Sequence, residues 1–276
     1  MQDRFEWNVR PPRATERVPV AEWRDVWNRR LRPLLMPAKA RDLYRLSALH
    51  ADSRRFGDFA SVGIGYVSGD NDFFRLRSSE AEAWGISDEF LHPSVRNGRA
   101  LPRHRITPEI VEGWRRTDQP SLLLRLRREQ EVSPQVRRYL DSEAGQAARQ
   151  GYKCRNRAPW YVVPDVQVPD LILSYMSGRA ASLVSNAAGV TCTNTMHSVR
   201  IRDRALAAKF LPAWGSPFAQ LSCEIEGHAL GGGMLKLEPR EASRILFPAA
   251  ELAAELVDPA ITEGVSVMRR WRHYAG

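Results

Sequence analysis

The residues that usually perform catalysis lack suitable partners in this sequence. His197 has no Ser, Cys or acidic residue at a spacing typical of a nucleophile and its base. Asp165 and Asp170 are close together, but no Glu-x-Lys follows them, as a metal-dependent nuclease would require. The pattern therefore predicts a structural histidine and no catalytic residues in the chain. The remaining chemistry is that of recognition by cations, amides and aromatic rings.

The richest of these segments is YKCRNRAPWYVVP, residues 152–164. Lys153, Arg155 and Arg157 alternate with other residues, so a strand would present all three on one face. Cations interleaved with aromatic rings suit a surface that contacts phosphates and base edges. We therefore expect the three cations to contact phosphates or guanine edges. The alternative is a solvated edge strand followed by a core strand, with Trp160 packed in the core.

The glycine-rich segment GIGYVSGDNDFF, residues 63–74, matches neither common nucleotide-binding loop. Its glycines are not followed by a helix start, no acidic residue closes a βαβ unit, and no Gly-Lys-Ser/Thr follows. We predict a hairpin with Gly at the turn positions. Asn71 is then favoured as a turn former, with base readout as the alternative role.

Two later segments carry further candidates for contact with DNA. Asn186 and Asn194, within SNAAGVTCTNTMHSVRI, can each make bidentate contacts to adenine or hold a turn through the backbone. Lys236 closely follows three consecutive glycines at 231–233. It is a candidate phosphate contact, although a tight loop before a packed β segment would have the same sequence.

The overall composition favours a polyanionic partner. The chain of 276 residues carries a net charge of +9, with a pI of about 9.9, and a basic surface attracts nucleic acid. No run approaches about 18 apolar residues, which predicts no membrane span, and the charged N-terminus does not resemble a signal peptide. The cysteines are odd in number and far apart, which favours buried thiols in a reducing cytoplasm over disulfides or zinc. They are Cys154, Cys192 and Cys223.

Hydrophobic patterning predicts a mixed α+β fold. Apolar residues recur at helical spacing from Val20 to Leu35 and again over 203–228, and a last helix is expected over 249–257. Pro108 and Pro134, each after a hydroxyl residue, mark two helix starts. A polar helix should end near Gly151. Residues 60–76 predict strand, turn and strand, SLLLRL at 121–126 predicts a buried strand, and the short apolar segments of 157–201 predict a largely antiparallel sheet.

Taken in order, these segments resemble the C-terminal half of adenine-specific DNA methyltransferases of the amino-methylating class. That region in the family begins with a segment similar to Gly65–Phe74, followed by a stretch resembling Gly85-Ile86 through Leu91-His92-Pro93. A Lys-x-Arg-x-Pro-Trp segment follows in the family, and this chain has two extra residues before the proline. The later matching positions are Lys153, Arg155, Pro159, Trp160, Asn186, Ala188, Gly189, Asn194, His197, Gly231, Gly232, Gly233, Lys236, Leu237, Glu238, Pro239 and Pro248.

The resemblance covers roughly residues 56–250 and implies a target-recognition domain. Such a domain holds double-stranded DNA against a methyltransferase domain, which flips the adenine out of the helix. We accordingly divide the chain into an N-terminal arm and helix (1–55), a target-recognition domain (56–250), and a C-terminal helix or tail (251–276).

The resemblance also implies which parts lie elsewhere. Family members carry an S-adenosylmethionine loop and an Asn-Pro-Pro-aromatic motif upstream, whereas the only Pro-Pro here, Pro11-Pro12, lies between arginines. We therefore expect no cofactor in this chain and a partner catalytic domain or subunit that binds S-adenosylmethionine. The expected function is DNA recognition within a restriction-modification or phage-defence system. The alternatives are a non-catalytic interaction or regulatory protein of a defence complex, and a complete methyltransferase with a cryptic cofactor site.

Overall fold

Short helices and strands alternate along the chain because proline and glycine interrupt every apolar run. The computed structural model describes residues 17–252 and 257–272. Its α-helices are α1 (Val20–Asp25), α2 (Ala38–Leu49), α3 (Phe56–Phe59), α4 (Asn71–Phe74), α5 (Ser78–Trp84), α6 (Pro108–Arg116), α7 (Pro134–Leu140), α8 (Glu143–Gln150), α9 (Tyr152–Arg155), α10 (Arg204–Phe210), α11 (Pro217–Glu226), α12 (Pro239–Ser243) and α13 (Pro259–Arg272). Short 3-10 turns occupy Arg32–Leu35, Asp88–Phe90, Gly98–Ala100, Leu211–Gly215, Gly231–Gly233 and Ala250–Leu252.

The β-strands form two principal sheets and two small ones. They are β1 (Arg54–Arg55), β2 (Ala60–Ile64), β3 (Arg75–Leu76), β4 (Leu91–Val95), β5 (Arg105–Ile106), β6 (Leu122–Leu124), β7 (Leu171–Ser174), β8 (Met176–Ser177), β9 (Leu183–Asn186), β10 (Thr191–Cys192), β11 (Met196–Ile201), β12 (His228–Ala229), β13 (Leu235–Lys236) and β14 (Leu246–Phe247). A five-stranded sheet has the order β2-β11-β7-β9-β5, and a four-stranded sheet has the order β10-β4-β6-β3. The small sheets are β1-β14 and β12-β13-β8.

Most neighbouring strands are antiparallel, with parallel pairs at two sheet edges. β5 runs parallel to β9, and β10 runs parallel to β4. The central strand β11 pairs antiparallel with β2 and β7, so that Val199 lies opposite Val62 and Leu171. This arrangement confirms the predicted α+β fold with a mixed, largely antiparallel sheet.

The two principal sheets meet where Gly65 and Tyr66 pack against residues 192–196. After β2, Gly65 donates its N–H to Met196 and Tyr66 donates its N–H to Cys192, each at 3.0 Å, and Asn194 donates in turn to the Tyr66 carbonyl at 2.9 Å. A Cβ at position 65 would lie 2.2 Å from the Cys192 carbonyl oxygen and 2.3 Å from that of Thr193. Only glycine permits this approach.

The segments before and after the predicted recognition domain pack together. Trp27 and Tyr44 stack on each other, and Tyr44 stacks on Phe218 of α11. Met268 of α13 belongs to the same buried cluster, so that α2, α11 and α13 share one core. The N-terminal and C-terminal helices therefore form a common helical layer beside the sheets.

A buried ion pair fixes the end of α13. The Arg272 side chain is fully buried, and its Nε and Nη2 donate to the Glu224 carboxylate at 3.0 Å. Its Nη1 also donates to the carbonyls of Gly178, at 3.0 Å, and Gly233. These contacts satisfy a charge that is costly to bury alone, and they connect two loops to the helical layer.

Several local predictions agree with the structure. α6 and α7 begin at the predicted prolines, and the Ser133 hydroxyl accepts the Val136 N–H at the start of α7. The SLLLRL segment contains β6, whose three residues are all buried. The polar helix α8 ends at Gln150, residues 203–228 contain two helices, and the three cysteines are buried and free.

Other predictions are wrong at the level of single elements. The 60–76 hairpin does not form, because β2 and β3 belong to different sheets. Residues 160–163 form no strand, because Trp160 and Tyr161 pack half-buried against the core cluster that contains Val163. The helix predicted over 20–35 ends at Asp25, since Asn28 and Arg29 adopt positive φ angles. Residues 249–257 contain only a 3-10 turn in their described part, and the last helix begins at Pro259.

Candidate nucleic-acid interface

The segment with the predicted cations is a short helix, so the strand prediction is wrong there. α9 turns Cys154 inward, with its Sγ 3.7 Å from the Ser68 carbonyl. Gly69, at φ +96°, packs so closely that an added Cβ would lie 2.8 Å from that sulfur. The helical turn is therefore imposed by contacts with residues 67–70, which lie far away in sequence.

The helix separates the three predicted cations into two roles. Arg157 is half-buried and donates to the carbonyls of Val67 and Ser68 at 2.6 and 2.5 Å, which fixes the loop after β2. Lys153 and Arg155 are exposed, and their charged groups lie 5.9 and 5.5 Å from the ring of Tyr152. The Tyr152 side chain is itself 68% exposed. Two cations and an aromatic ring are thus presented together to solvent.

Asn71 lies at the first residue of α4, next to this helix. Its Oδ1 accepts the Ser68 hydroxyl at 2.8 Å, while Asp70 caps the helix by accepting the N–H groups of Asp72 and Phe73. Asn71 is half-buried. This local bonding agrees with the favoured interpretation of Asn71 as a turn former.

The neighbouring loop 96–100 is held in place through its backbone. The Arg96 carbonyl accepts the hydroxyls of Thr193, at 2.7 Å, and Thr195. The Asn97 Oδ1 accepts the Arg99 N–H at 3.1 Å, which starts the 3-10 turn. The side chains of Arg96 and Arg99 remain exposed on this fixed backbone.

Asn194 faces the same loop across a groove. Its backbone N–H bonds to Tyr66, whereas its side chain is exposed and has no hydrogen-bond partner within residues 17–252 and 257–272. The groove has a volume of about 740 Å³ and is lined by residues from four segments of the chain, which are 97–99, 174–182, 194–195 and Met234. Its lining includes Asn97, Arg99, Asn194, Thr195 and Met176. An amide, a guanidinium and an exposed thioether are groups that read base edges and thymine methyls.

Lys236 lies beside this groove but has a partner of its own. β13 places it opposite Met176 of β8. Its Nζ is 2.6 Å from a Glu238 carboxylate oxygen and 5.2 Å from the centre of the Tyr175 ring. The hydrogen bond to Lys236 lowers the pKa of Glu238 and raises that of Lys236. A phosphate contact by Lys236 would have to compete with this carboxylate.

Asn186 has a structural set of contacts instead. Its Nδ2 donates to the carbonyls of Pro169 and Val190 at 2.8 Å, and its Oδ1 accepts the Val190 N–H at 3.0 Å. The side chain therefore closes the turn after β9, which was the alternative role considered for it. No contact brings Asn186 to the groove among the described residues.

His197 and the cysteines behave as core residues. His197 is fully buried, and its Nε2 is 2.6 Å from the Leu237 carbonyl. Burial lowers the pKa of His197, favouring the neutral ring, and burial raises the pKa of the Cys192 thiol to about 12. In the described part of the chain, no group of three His, Cys, Asp or Glu side chains could hold a metal ion.

The sequence patterns did not predict that loop 96–100 lines the groove. Arg96, Asn97 and Arg99 project from the junction of the sheets, yet the chain contains 41 basic residues and only four are lysines, so single arginines carry little signal. The available signal was the Asn97-Gly98 pair between two arginines. Asn-Gly is a strong turn former, and a turn exposes the side chains that flank it.

Comparison with known proteins identifies the class as the C-terminal domain of Type II methyltransferases. The model of the family described as "Type II methyltransferase M.Eco57I, C-terminal domain" matches residues 28–270. The chain belongs to this family. The Type II methyltransferase M.AccI of Acinetobacter calcoaceticus is 18% identical over 194 residues, which are 68% of this chain and 35% of that protein.

A solved structure supports the same assignment of the fold. The type IIG restriction endonuclease BpuSI matches 87% of this chain with a TM-score of 0.51 and 14% sequence identity. The match spans 28% of that chain, so this chain covers 28% of BpuSI and 35% of M.AccI. Within the described residues, no helix is both long and apolar enough to cross a membrane.

Proposed function

We propose that this chain is the part of an adenine-specific Type II DNA methyltransferase that recognises a specific double-stranded DNA sequence. The observation that carries the proposal is the groove between loop 96–100 and Asn194, where exposed polar side chains stand on a backbone held by hydrogen bonds. Base reading requires such fixed donors and acceptors, since a mobile side chain loses entropy on binding. Lys153, Arg155 and Tyr152 extend the same surface toward the DNA backbone.

The contacts divide the candidate residues by task. Lys153, Arg155 and Arg96 supply charge to phosphates, while Asn194 and Arg99 read base edges in the groove. Asn71, Asn186 and Arg157 shape the loops, because their polar groups are bonded within the protein. Lys236 is a weaker phosphate candidate because Glu238 already neutralises it.

Methyl transfer belongs to a partner catalytic domain or subunit that binds S-adenosylmethionine. The family match is to a C-terminal domain, and the chain spans only 35% of M.AccI. We expect calorimetry to detect no S-adenosylmethionine binding to this chain alone. Binding by the isolated chain would support a complete enzyme instead.

The first experiment selects bound duplexes from a randomised pool and measures affinity for the selected site by fluorescence anisotropy. The proposal predicts recovery of a common sequence and binding that weakens with rising salt. Salt-dependent binding without a selected sequence, or no binding, would favour an interaction or regulatory protein of a defence complex. Either outcome would contradict the proposed function.

Variants then test the two tasks. Asn194→Ala should weaken binding to the selected site by about 5- to 150-fold, corresponding to about 1–3 kcal/mol for one base contact, and relax the selected sequence at one position. Arg155→Ala should weaken binding to every duplex alike and reduce the salt slope by about 1. Lys209→Ala is the charge control, since Lys209 is exposed on α10. If Asn194→Ala selects the same DNA sequence as the wild type, Asn194 does not contact a base.

A further inference from the structure

Among the described residues, Arg75 is a buried cation with no hydrogen-bond or ion-pair partner. It lies on β3, opposite Leu123 of β6, and is only 3% exposed. Its Nε and Nη1 are shielded from solvent and form no hydrogen bond with any residue that the structure describes. Arg272, the other deeply buried arginine discussed above, is by contrast neutralised by Glu224. A buried guanidinium with unused donors is costly, so the site requires an explanation.

The groups around Arg75 are also short of negative charge. Arg96 is a second cation beside it, and Asp72, the neighbouring carboxylate, is 88% exposed and lies 3.8 Å from Arg96. The Tyr66 and Ser94 hydroxyls bond to each other at 2.8 Å, and burial raises the pKa of Tyr66 to about 12, so the phenol is neutral. Burial and the nearby Arg96 lower the pKa of Arg75.

A second unused donor lies on the same face of the sheet. Ser121 precedes Leu123 by two residues, so its side chain points to the face that Arg75 occupies. Its hydroxyl is buried and has no hydrogen-bond partner in the described chain. Ser121, Ser94 and Arg96 line a cavity of about 310 Å³ at the end of β4. The cavity is therefore lined by one of the two cations, Arg96, and by a free hydroxyl, while Arg75 lies beside Arg96 and is not among the lining residues.

We infer that Arg75 and Arg96 form a binding site for a phosphate group, with Ser121 as an additional donor. The guanidinium of arginine matches phosphate oxygens with paired N–H donors. The unused donors are two N–H groups of Arg75 and the Ser121 hydroxyl, and three donors suit a tetrahedral anion better than a carboxylate with two oxygens. The inference rests on the proposed function for the source of the phosphate, which is the DNA backbone.

The test compares free phosphate with duplex DNA on the same variants. The key substitution is Arg75→Met, which removes the charge and keeps the approximate shape. Arg45→Met is the matched control, because Arg45 on α2 is exposed and forms an ion pair with exposed Asp42. Melting temperatures are measured with inorganic phosphate and with chloride at equal ionic strength, and duplex affinity is measured over a range of salt concentrations.

The site predicts a rise on the order of 2 °C with phosphate in the wild type and in Arg45→Met, and none in Arg75→Met. Without phosphate, Arg75→Met should melt at the same temperature as the wild type or higher. Its salt slope for duplex binding should be smaller by about 0.9, the loss of one phosphate contact. Arg96→Gln should also reduce the response to phosphate.

Three results would overturn the inference. Equal phosphate responses in the wild type and Arg75→Met would show that Arg75 binds no anion. An Arg75→Met protein that fails to fold would show that the guanidinium has a structural partner. An unchanged salt slope would remove the DNA phosphate as the ligand. If phosphate protects only the wild type and neither protein binds duplex, the anion site stands as one for free phosphate and the proposed function fails.

Discussion

Replacing Gly65 by alanine should disrupt the junction of the two sheets. The added Cβ would lie 2.2 and 2.3 Å from the carbonyl oxygens of Cys192 and Thr193, whereas ordinary contact begins at 3.4 Å. Both obstructing atoms belong to the backbone, so relief requires the segments to separate by more than an ångström. The backbone hydrogen bonds of 2.9–3.0 Å that join residues 65, 66 and 194 to their partners would then break.

The structure sets the size of this effect. Three hydrogen bonds at about 1 kcal/mol each, or an equivalent overpacking strain, give a loss of about 3 kcal/mol. For a chain of this size that loss lowers the melting temperature by about 6–12 °C. Calorimetry or a circular-dichroism melt measures it directly.

Gly63→Ala is the matched control, two residues earlier and on β2. Position 63 is exposed, and an added Cβ would meet nothing closer than the Ser198 carbonyl at 4.0 Å. Alanine there should be neutral or stabilise by up to about 1 kcal/mol, because glycine loses more backbone entropy on folding. If Gly65→Ala melts within about 2 °C of Gly63→Ala, the close approach does not hold the sheets together.

Two further predictions concern buried charges. Arg272→Met should lower the free energy of unfolding by about 3 kcal/mol in denaturant titrations, because it leaves the Glu224 carboxylate buried and unpaired. The double variant Arg272→Met, Glu224→Gln should recover part of this loss. No recovery would contradict the ion-pair explanation. Burial lowers the folded-state pKa values of His92 and His197, so the unfolded chain binds more protons and stability should fall as the pH decreases below about 6.5. Melting temperatures measured from pH 7.5 to 5 test this, and a flat profile would refute it.

Local signals in the sequence predicted those parts of the fold that local interactions determine. Pro108 and Pro134 start helices because their fixed φ and missing N–H suit the first helical position, wherever the helix packs. All three residues of β6 are apolar because both faces of the sheet are buried at this strand. The general α+β architecture followed from many such elements.

Distant contacts determine the parts that sequence patterns misjudged. The alternation of Lys153, Arg155 and Arg157 predicted a strand, but Cys154 is drawn toward Ser68 and Arg157 toward Val67, which closes a helical turn. Residues 60–76 have the sequence pattern of a hairpin. The prediction was wrong because β2 pairs with β11 and β3 pairs with β6, and both partners lie far along the chain. The groove could not be predicted for the same reason, since Asn97 and Asn194 are far apart in the sequence and line one groove only in the folded chain.

The hydrogen bonds from Thr193 and Thr195 to the backbone of loop 96–100 have a consequence for how ligand preference could change. The path of this loop is set by the Arg96 carbonyl and the hydroxyls of Thr193 and Thr195, and the exposed side chains of Arg99 and Asn194 take no part in that bonding. Exchange at those two positions therefore leaves the scaffold unchanged. A library randomised at positions 99 and 194 would sample new ligand preferences at little cost in folding, whereas one that included Thr193 would mostly yield misfolded proteins.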